Sequence, residues 1–432
     1  MGTTTTNTET MTTNSAMKPA IASLIGTAIE WYDYFIYGLA AAFVFGPLFF
    51  PEFSSTAGTM AAFATFAVGF LARPLGGIVM GHFGDRIGRK SMLVTSLMIM
   101  GVSTTCIGLL PTYDTIGVWA PILLVCLRFL QGFGVGGEWS GAVLMAVEHA
   151  PKGRKSLFGS FPQMGVPAGL ILANLVYLCV TKTLSEDAFT SWGWRLPFLA
   201  SAVLVTVGLV MRLKLEESPV FERVVKADEQ QRMPIISVLR SHWRTVILIA
   251  GAFVGINAVA YIFMAYLLNY STKILGFDRN LILTFNLIAS VVWFAVTPYA
   301  AHLSDRFGNR KVLLLGSVSL TILAIALFPL INTEVTVVIL FAMVAVALGM
   351  GIVYGPMAGL FSSLFPPPIR YSGTSLGYQV GSILGGGIAP TIATGLYAQW
   401  GSSTPITVYL GFVTVLSLLC LGVLVRPSHQ TW

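Results

Sequence analysis

Read as apolar and polar runs, the chain alternates long hydrophobic stretches with short polar connections. The apolar runs lie near 21–48, 57–81, 91–111, 117–148, 157–181, 193–213, 245–270, 280–302, 311–331, 335–363, 372–398 and 404–425. Each reaches the roughly 20 residues that a helix rising about 1.5 Å per residue needs to cross about 30 Å of hydrocarbon. The pattern predicts an all-α integral membrane protein with twelve transmembrane helices. Six runs precede the polar stretch 214–244 and six follow it. That stretch carries Glu216, Glu217, Glu222, Arg223, Lys226, Asp228, Glu229 and Arg232, and part of it should form an amphipathic helix on the membrane surface. The expected plan is a disordered tail (1–20), an N-terminal six-helix bundle (21–213), a linker (214–244), a C-terminal six-helix bundle (245–425) and a short tail (426–432). Residues 1–20 are Thr- and Asn-rich and poor in large apolar side chains.

The polar connections repeat. Gly81-His-Phe-Gly-Asp-Arg-Ile-Gly-Arg-Lys90 returns, degraded, as Ala301-His-Leu-Ser-Asp-Arg-Phe-Gly-Asn-Arg310, 220 residues later (301 − 81). Two related, pseudo-symmetric halves with the same turn between two spans imply a transporter built around a central site. Most lysines and arginines fall on one set of connections, among them Arg86, Arg89, Lys90, Lys152, Arg154, Lys155, Arg306, Arg310, Lys311 and Arg370. That set is expected to be cytoplasmic, with both termini, in a cell inner (plasma) membrane protein.

Composition narrows the class. Charged residues make up 10% of the chain, against about 25% in soluble domains, and the mean hydropathy is +0.79. The net charge of +7 is scattered through short turns, so nucleic acid is not an expected partner. The expected partners are the lipid bilayer, a small molecule and protons, and the protein is expected to work as a monomer. The five histidines lie in or beside polar turns or the C-terminal tail without a metal-ligand spacing. No nucleophile–base pair or Walker motif is present. An enzyme is therefore not expected, nor any cofactor, catalytic residue or metal.

In the first turn, glycines at 81, 84 and 88 let two helices approach and reverse, and Asp85 stands beside Arg86 and Arg89. The second turn repeats Asp305, Arg306 and Arg310. Glu148 and Arg154 open the next connection on the same side. Gly81, Asp85, Arg86, Gly88, Arg89, Glu148, Arg154, Asp305, Arg306 and Arg310 are expected to form a cytoplasmic gate of ion pairs across the halves. Pairs at a wet surface contribute about 0–1 kcal/mol each, which suits a latch between states of similar energy.

The first turn resembles the signature of the major facilitator superfamily. Arg128-Phe-Leu-Gln-Gly-Phe-Gly-Val-Gly-Gly-Glu-Trp139, Glu30-Trp-Tyr-Asp-Tyr34, Ser191-Trp-Gly-Trp-Arg195 and Glu216-Glu-Ser-Pro-Val-Phe221 resemble its metabolite:proton symporter family. The resemblance covers about 20 to 425. It implies alternating access and proton-coupled carriage of organic acids, aromatic or hydroaromatic acids, or zwitterionic osmolytes. The second signature departs from the pattern at Ala301 and Ser304, where glycine is missing. The long C-terminal extension of osmolyte-sensing members is not found in this sequence.

Three acids, Glu30, Asp33 and Glu138, lie deep in spans, where a charge costs at least about 2.5–3.5 kcal/mol and marks a proton or substrate path. Glu30 and Asp33 share a helix face. Asp33 and Arg128 both fall near mid-membrane by residue count, so they are expected to face one another. Burial opposes the charge on Asp33 and Arg128 favours it. An anion arriving at Arg128 would then hand Asp33 a proton, with Glu30 sharing it. Arg73 and Glu138, of similar depth, are expected to form a buried structural pair. Arg128 can grip a carboxylate with two hydrogen bonds. Gln131, Trp31, Tyr34, Tyr37, Gln163, Asn257, Tyr261, Tyr354 and Gln379 are the expected binding residues around it. The leading expectation is proton symport of a small organic acid, shikimate-like, aromatic or a short carboxylate. Symport of proline or glycine betaine, with aromatic rings around the ammonium, is the alternative.

Overall fold

The computed structural model describes residues 13–53, 55–226 and 234–426. Backbone polar groups find no water in hydrocarbon, so each apolar run satisfies them internally as helix. The membrane helices are α1 (Thr13–Phe43), α2 (Ser55–Ile87), α3 (Arg89–Leu109), α4 (Trp119–Glu148), α5 (Lys155–Thr183) and α6 (Leu196–Leu213) in one half. In the other they are α7 (Trp243–Ile274), α8 (Arg279–Phe307), α9 (Asn309–Ile331), α10 (Thr336–Ser363), α11 (Pro367–Trp400) and α12 (Thr404–Leu424). Eleven are both long and apolar enough to cross a membrane. The exception, α1, is 31 residues long but carries Lys18, Glu30 and Asp33.

The two halves pack by the same rule. In the first, α1 lies on α5, α2 and α3 on α4, and α3 on α6. In the second, α7 lies on α11, α8 and α9 on α10, and α9 on α12. Between the halves, α2 meets α11 and α5 meets α8 and α10. Side chains turned away from both bundles, such as Leu315, Val337 and Phe412, are exposed and apolar, as lipid requires.

Two expectations shift. Helix begins at Thr13, inside the stretch expected to be a disordered tail. Ala16 and Ala20, one turn apart, bury themselves beside Phe158, and that contact orders the segment. Residues 1–12 and 427–432, the rest of the expected tails, lie outside the described residues. The first signature is also mostly helix and not turn. α2 runs through Gly81 and Gly84 to Ile87, and only Gly88, at φ 111°, reverses the chain. Gly308 repeats that conformation at φ 93°. A Cβ on Gly84 would lie 2.6 Å from the Tyr371 ring of the other half, so this glycine serves close contact between the halves.

The linker holds two short helices, Pro219–Lys226 and Pro234–Ser241, with 227–233 outside the described residues. Its Glu217 carboxylate accepts from the backbone N–H of Arg89 at 3.0 Å and of Lys90 at 3.2 Å. It thereby caps α3 with a charge suited to a helix N-terminus.

Candidate functional site

The centre of the molecule, between the halves, is walled by aromatic rings, and buried charge threads the first half beside it. Asp33 on α1 is 1% exposed. Its Oδ2 accepts from Thr104 Oγ1 on α3 at 2.9 Å, and its Oδ1 from Ser201 Oγ on α6 at 2.5 Å. Gln131 Nε2 on α4 donates to Thr104 Oγ1 at 2.8 Å, and Arg128 Nη1 donates to Gln131 Oε1. Asp33 and Arg128 therefore do not face each other directly, as their depths suggested. Two side chains stand between them, and every donor in the chain points toward the carboxylate.

Arg128 is fully buried and sits among rings, its guanidinium carbon 4.6 Å from the Tyr34 centroid, 4.2 Å from Tyr37 and 4.7 Å from Phe66. The backbone of Gly69 forms its shelf, where a Cβ would fall 2.7 Å from Arg128 Nε. Arg128 Nε and Nη2 have no hydrogen-bond partner among the described residues. The Tyr37 hydroxyl is engaged with Thr65 Oγ1 at 2.5 Å, so Tyr37 offers Arg128 its ring. From the other half, Tyr261 closes on Trp31 and Tyr34, with ring centroids 6.1 and 6.2 Å apart. Asn257 lies one turn back on the same helix, with Nδ2 unpartnered.

The remaining expected binding residues lie in a seam between the halves. Trp139 stacks on Tyr378 at 3.8 Å and donates from Nε1 to Gln163 Oε1 at 2.5 Å. Gln163 Nε2 donates to the Tyr354 carbonyl at 3.0 Å, and the Tyr354 and Tyr378 hydroxyls lie 3.3 Å apart. Gln379 Nε2 donates to the Gly136 carbonyl at 2.7 Å. In this state Gln163 and Gln379 hold the two halves together.

The expected pair between Arg73 and Glu138 is not formed. Glu138 is bound by Arg212 of α6, through both guanidinium Nη atoms, and by Ser96 Oγ. Arg212, near the end of α6, turns inward because Gly26 leaves room: a Cβ there would collide with its Nη2. Arg73 lies over the rings of Trp31, Tyr34 and Phe70 instead. Glu30, 3% exposed, has Oε2 unpartnered and lies within electrostatic reach of Arg73, Arg212, Glu138 and Asp33. Removing one member of a buried ion pair strands the other at about 3–5 kcal/mol. Glu138→Gln is therefore expected to lower the thermal unfolding midpoint of the purified protein markedly, while a midpoint equal to the unmutated protein's would remove the structural role.

On the side of the charged turns, the closure between the halves is built from helix caps more than from ion pairs. Asp85 accepts from the backbone N–H of Tyr371 at 3.2 Å and Ser372 at 2.9 Å, and from Ser372 Oγ at 2.8 Å. It thus caps the start of α11. Asp305 does the same for α5, accepting from Ser156 N at 2.9 Å and Leu157 N at 2.8 Å. One carboxylate from each half holds a helix N-terminus of the other. Arg89 backs Asp85 at 3.7 Å and Glu148 at 3.5 Å, and Glu148 reaches across to Arg370 at 3.4 Å. Gly81 packs on Ser372, its Cβ position 3.1 Å from the Ser372 Cα.

Arg86 lies beside His82 of its own helix, 3.4 Å away. Arg154, Arg306 and Arg310 are exposed and form no cross-half ion pair among the described residues, contrary to expectation. Carboxylates can accept backbone N–H groups that arginines cannot, so the acids carry the closure. A charged cap is worth about 1–2 kcal/mol, or about 5–30-fold in a population. Asp85→Asn is expected to slow transport by about that factor at normal folding. Initial rates at matched expression check this, and an unchanged rate contradicts the gate role.

Sequence reasoning missed Thr104, Ser201, Ser96 and Arg212, and the α11 and α5 N-termini as targets of the two aspartates. The hydroxyls carry no signal among the many Ser and Thr in spans. The aspartate targets are backbone N–H groups, which side-chain identity does not mark.

Known proteins bear on the whole chain. The profile of the Major Facilitator Superfamily matches residues 23–383. The chain is 43% identical over 424 residues to the inner membrane metabolite transport protein YhjE of Escherichia coli strain K12, covering 97% of this chain and 96% of that protein. It is 41% identical over 412 residues to the shikimate transporter of the same strain, covering 93% and 92%. In fold it resembles the proton:xylose symporter XylE of E. coli bound to 6-bromo-6-deoxy-D-glucose, with a TM-score of 0.76 at 17% identity and 96% of each chain covered.

Proposed function

This chain belongs to the Major Facilitator Superfamily and is a multi-pass membrane transporter, and on that premise we propose that it couples the entry of a small organic acid to the entry of a proton. The observation that carries the reading is the hydrogen-bond chain from Arg128 through Gln131 and Thr104 to Asp33. A cargo carboxylate takes the free Nε and Nη2 edge of Arg128 as a bidentate partner. It also draws Nη1 away from Gln131. Gln131 then turns, Thr104 loses its donor, and the charge on Asp33 becomes the least supported in the centre. A proton on Asp33 resolves that, and it makes one carboxyl oxygen a donor, so Thr104 or Ser201 must rotate. Anion and proton thus stabilise each other on the protein. The neutral loaded centre then crosses between states, with the Asp85 and Asp305 caps releasing as the turn side opens.

In this reading the turn side is cytoplasmic, as its basic residues favour, and the protein sits in the inner membrane like its relative YhjE. The shikimate transporter among the relatives and the single-fork geometry of Arg128 support a carboxylate with a ring or several oxygens. The test is uptake into proteoliposomes across shikimate, benzoate, 2-oxoglutarate, citrate, proline and betaine, with and without an inward proton gradient. Saturable, gradient-dependent accumulation of an acid is expected. Accumulation of betaine or proline alone contradicts the acid reading.

A further inference from the structure

Arg73 is a second buried guanidinium in the centre, and with Glu138 taken by Arg212 it forms no ion pair among the described residues. It is 2% exposed. Its guanidinium carbon lies 4.6 Å from the Tyr34 centroid, the same separation as that of Arg128, so one tyrosine ring carries both cations. Phe70 and Trp31 complete its cage at 4.7 and 5.6 Å, and Tyr261 of the other half covers Phe70 at 5.3 Å. Its Nε has no hydrogen-bond partner among the described residues.

The unpartnered buried atoms around this centre include the donors Arg73 Nε, Arg128 Nε and Nη2 and Asn257 Nδ2, the acceptors Glu30 Oε2 and Gln379 Oε1, and the Tyr34 and Tyr261 hydroxyls, which can do either. A buried donor that a ligand covers without pairing loses its hydration and gains nothing. A hydrocarbon acid or a trimethylammonium acid would satisfy Arg128 and leave the Arg73 end unpaired.

We infer that Arg73 is a second anchor of the cargo site, and that the cargo carries hydroxyl or keto oxygens at the end remote from its carboxylate. This rests on the carboxylate–Arg128 reading above and extends it to the other end of the molecule. Sites built to hydrogen-bond an oxygen reject analogues lacking it strongly, by up to about 10⁴–10⁵-fold. At a site also anchored by a carboxylate, at least about a hundredfold is expected.

Titration calorimetry on the purified full chain tests this with two matched pairs: shikimate against cyclohex-1-enecarboxylate, and 4-oxopentanoate against pentanoate. In the unmutated protein the oxygenated member of a pair should bind at least about a hundredfold more tightly. In Arg73→Gln that ratio should fall below about fivefold, because the group that reads the oxygens is gone. Arg73→Lys, which keeps the charge and loses the fork, should narrow it likewise and serves if the glutamine variant does not fold. A stripped acid binding as well as its oxygenated partner in the unmutated protein overturns the inference with no variant needed. A ratio that survives both substitutions overturns it too. Binding of none of the four acids instead defeats the underlying carboxylate reading.

Discussion

Uphill accumulation should vanish in Asp33→Asn while exchange of cargo across the membrane continues. A one-unit pH gradient supplies about 1.4 kcal/mol per proton and supports about tenfold accumulation. The variant should equilibrate at a ratio near one. The reason lies in the site: asparagine keeps the shape of Asp33 and can still meet Thr104 and Ser201, so the helices stay packed. It cannot cycle between charged and neutral, so cargo binding has nothing to couple to. Counterflow with labelled cargo on one side and unlabelled on the other separates the two activities. Retained gradient-driven accumulation would show that the proton is carried elsewhere, with Glu30 the next acid on the same face.

The second large effect belongs to Arg128→Lys, where affinity should drop near a hundredfold with the charge preserved. A lysine offers a point charge where arginine offers a planar fork. The cradle is shaped for the plane: rings of Tyr34, Tyr37 and Phe66 lie around the guanidinium, and the Gly69 backbone supports its edge. Losing one of two charge-assisted hydrogen bonds costs about 2–3 kcal/mol, and the bond to Gln131 Oε1 is lost as well. Binding and transport should therefore fail together, unlike in Asp33→Asn. Equal affinity in the lysine variant would mean that net charge alone recruits the cargo.

The fold was legible because hydrocarbon imposes one length and one polarity on every span, and because a ten-residue turn written twice marks two halves. Burial was also legible: counting residues from the span ends singled out Asp33, Arg128, Glu30 and Glu138, and all four are buried. Azimuth was not. Residue counts cannot say which way a side chain points around its helix. So Glu138 was assigned to Arg73 at similar depth, when Arg212 reaches it past the bare backbone of Gly26. Partners that are backbone groups were invisible for a different reason. Asp85 and Asp305 bind helix N-termini of the opposite half, and any sequence could supply those N–H groups. Gln163, Gln379 and Tyr354 illustrate a third limit. A polar residue deep in a span announces the bundle interior, yet Gln163 and Gln379 spend their amides on backbone carbonyls of the opposite half.

The central claim is that anion and proton share one event on the N-terminal bundle. Its most direct measurement is proton flux driven by cargo alone. Proteoliposomes loaded with a pH-sensitive dye, with equal pH on both sides, receive the accepted acid outside. Internal acidification that follows the cargo concentration, and that is absent in Asp33→Asn, is the predicted result. Cargo entry at the full rate with no change in internal pH, in vesicles shown to hold an imposed pH gradient, would contradict the account.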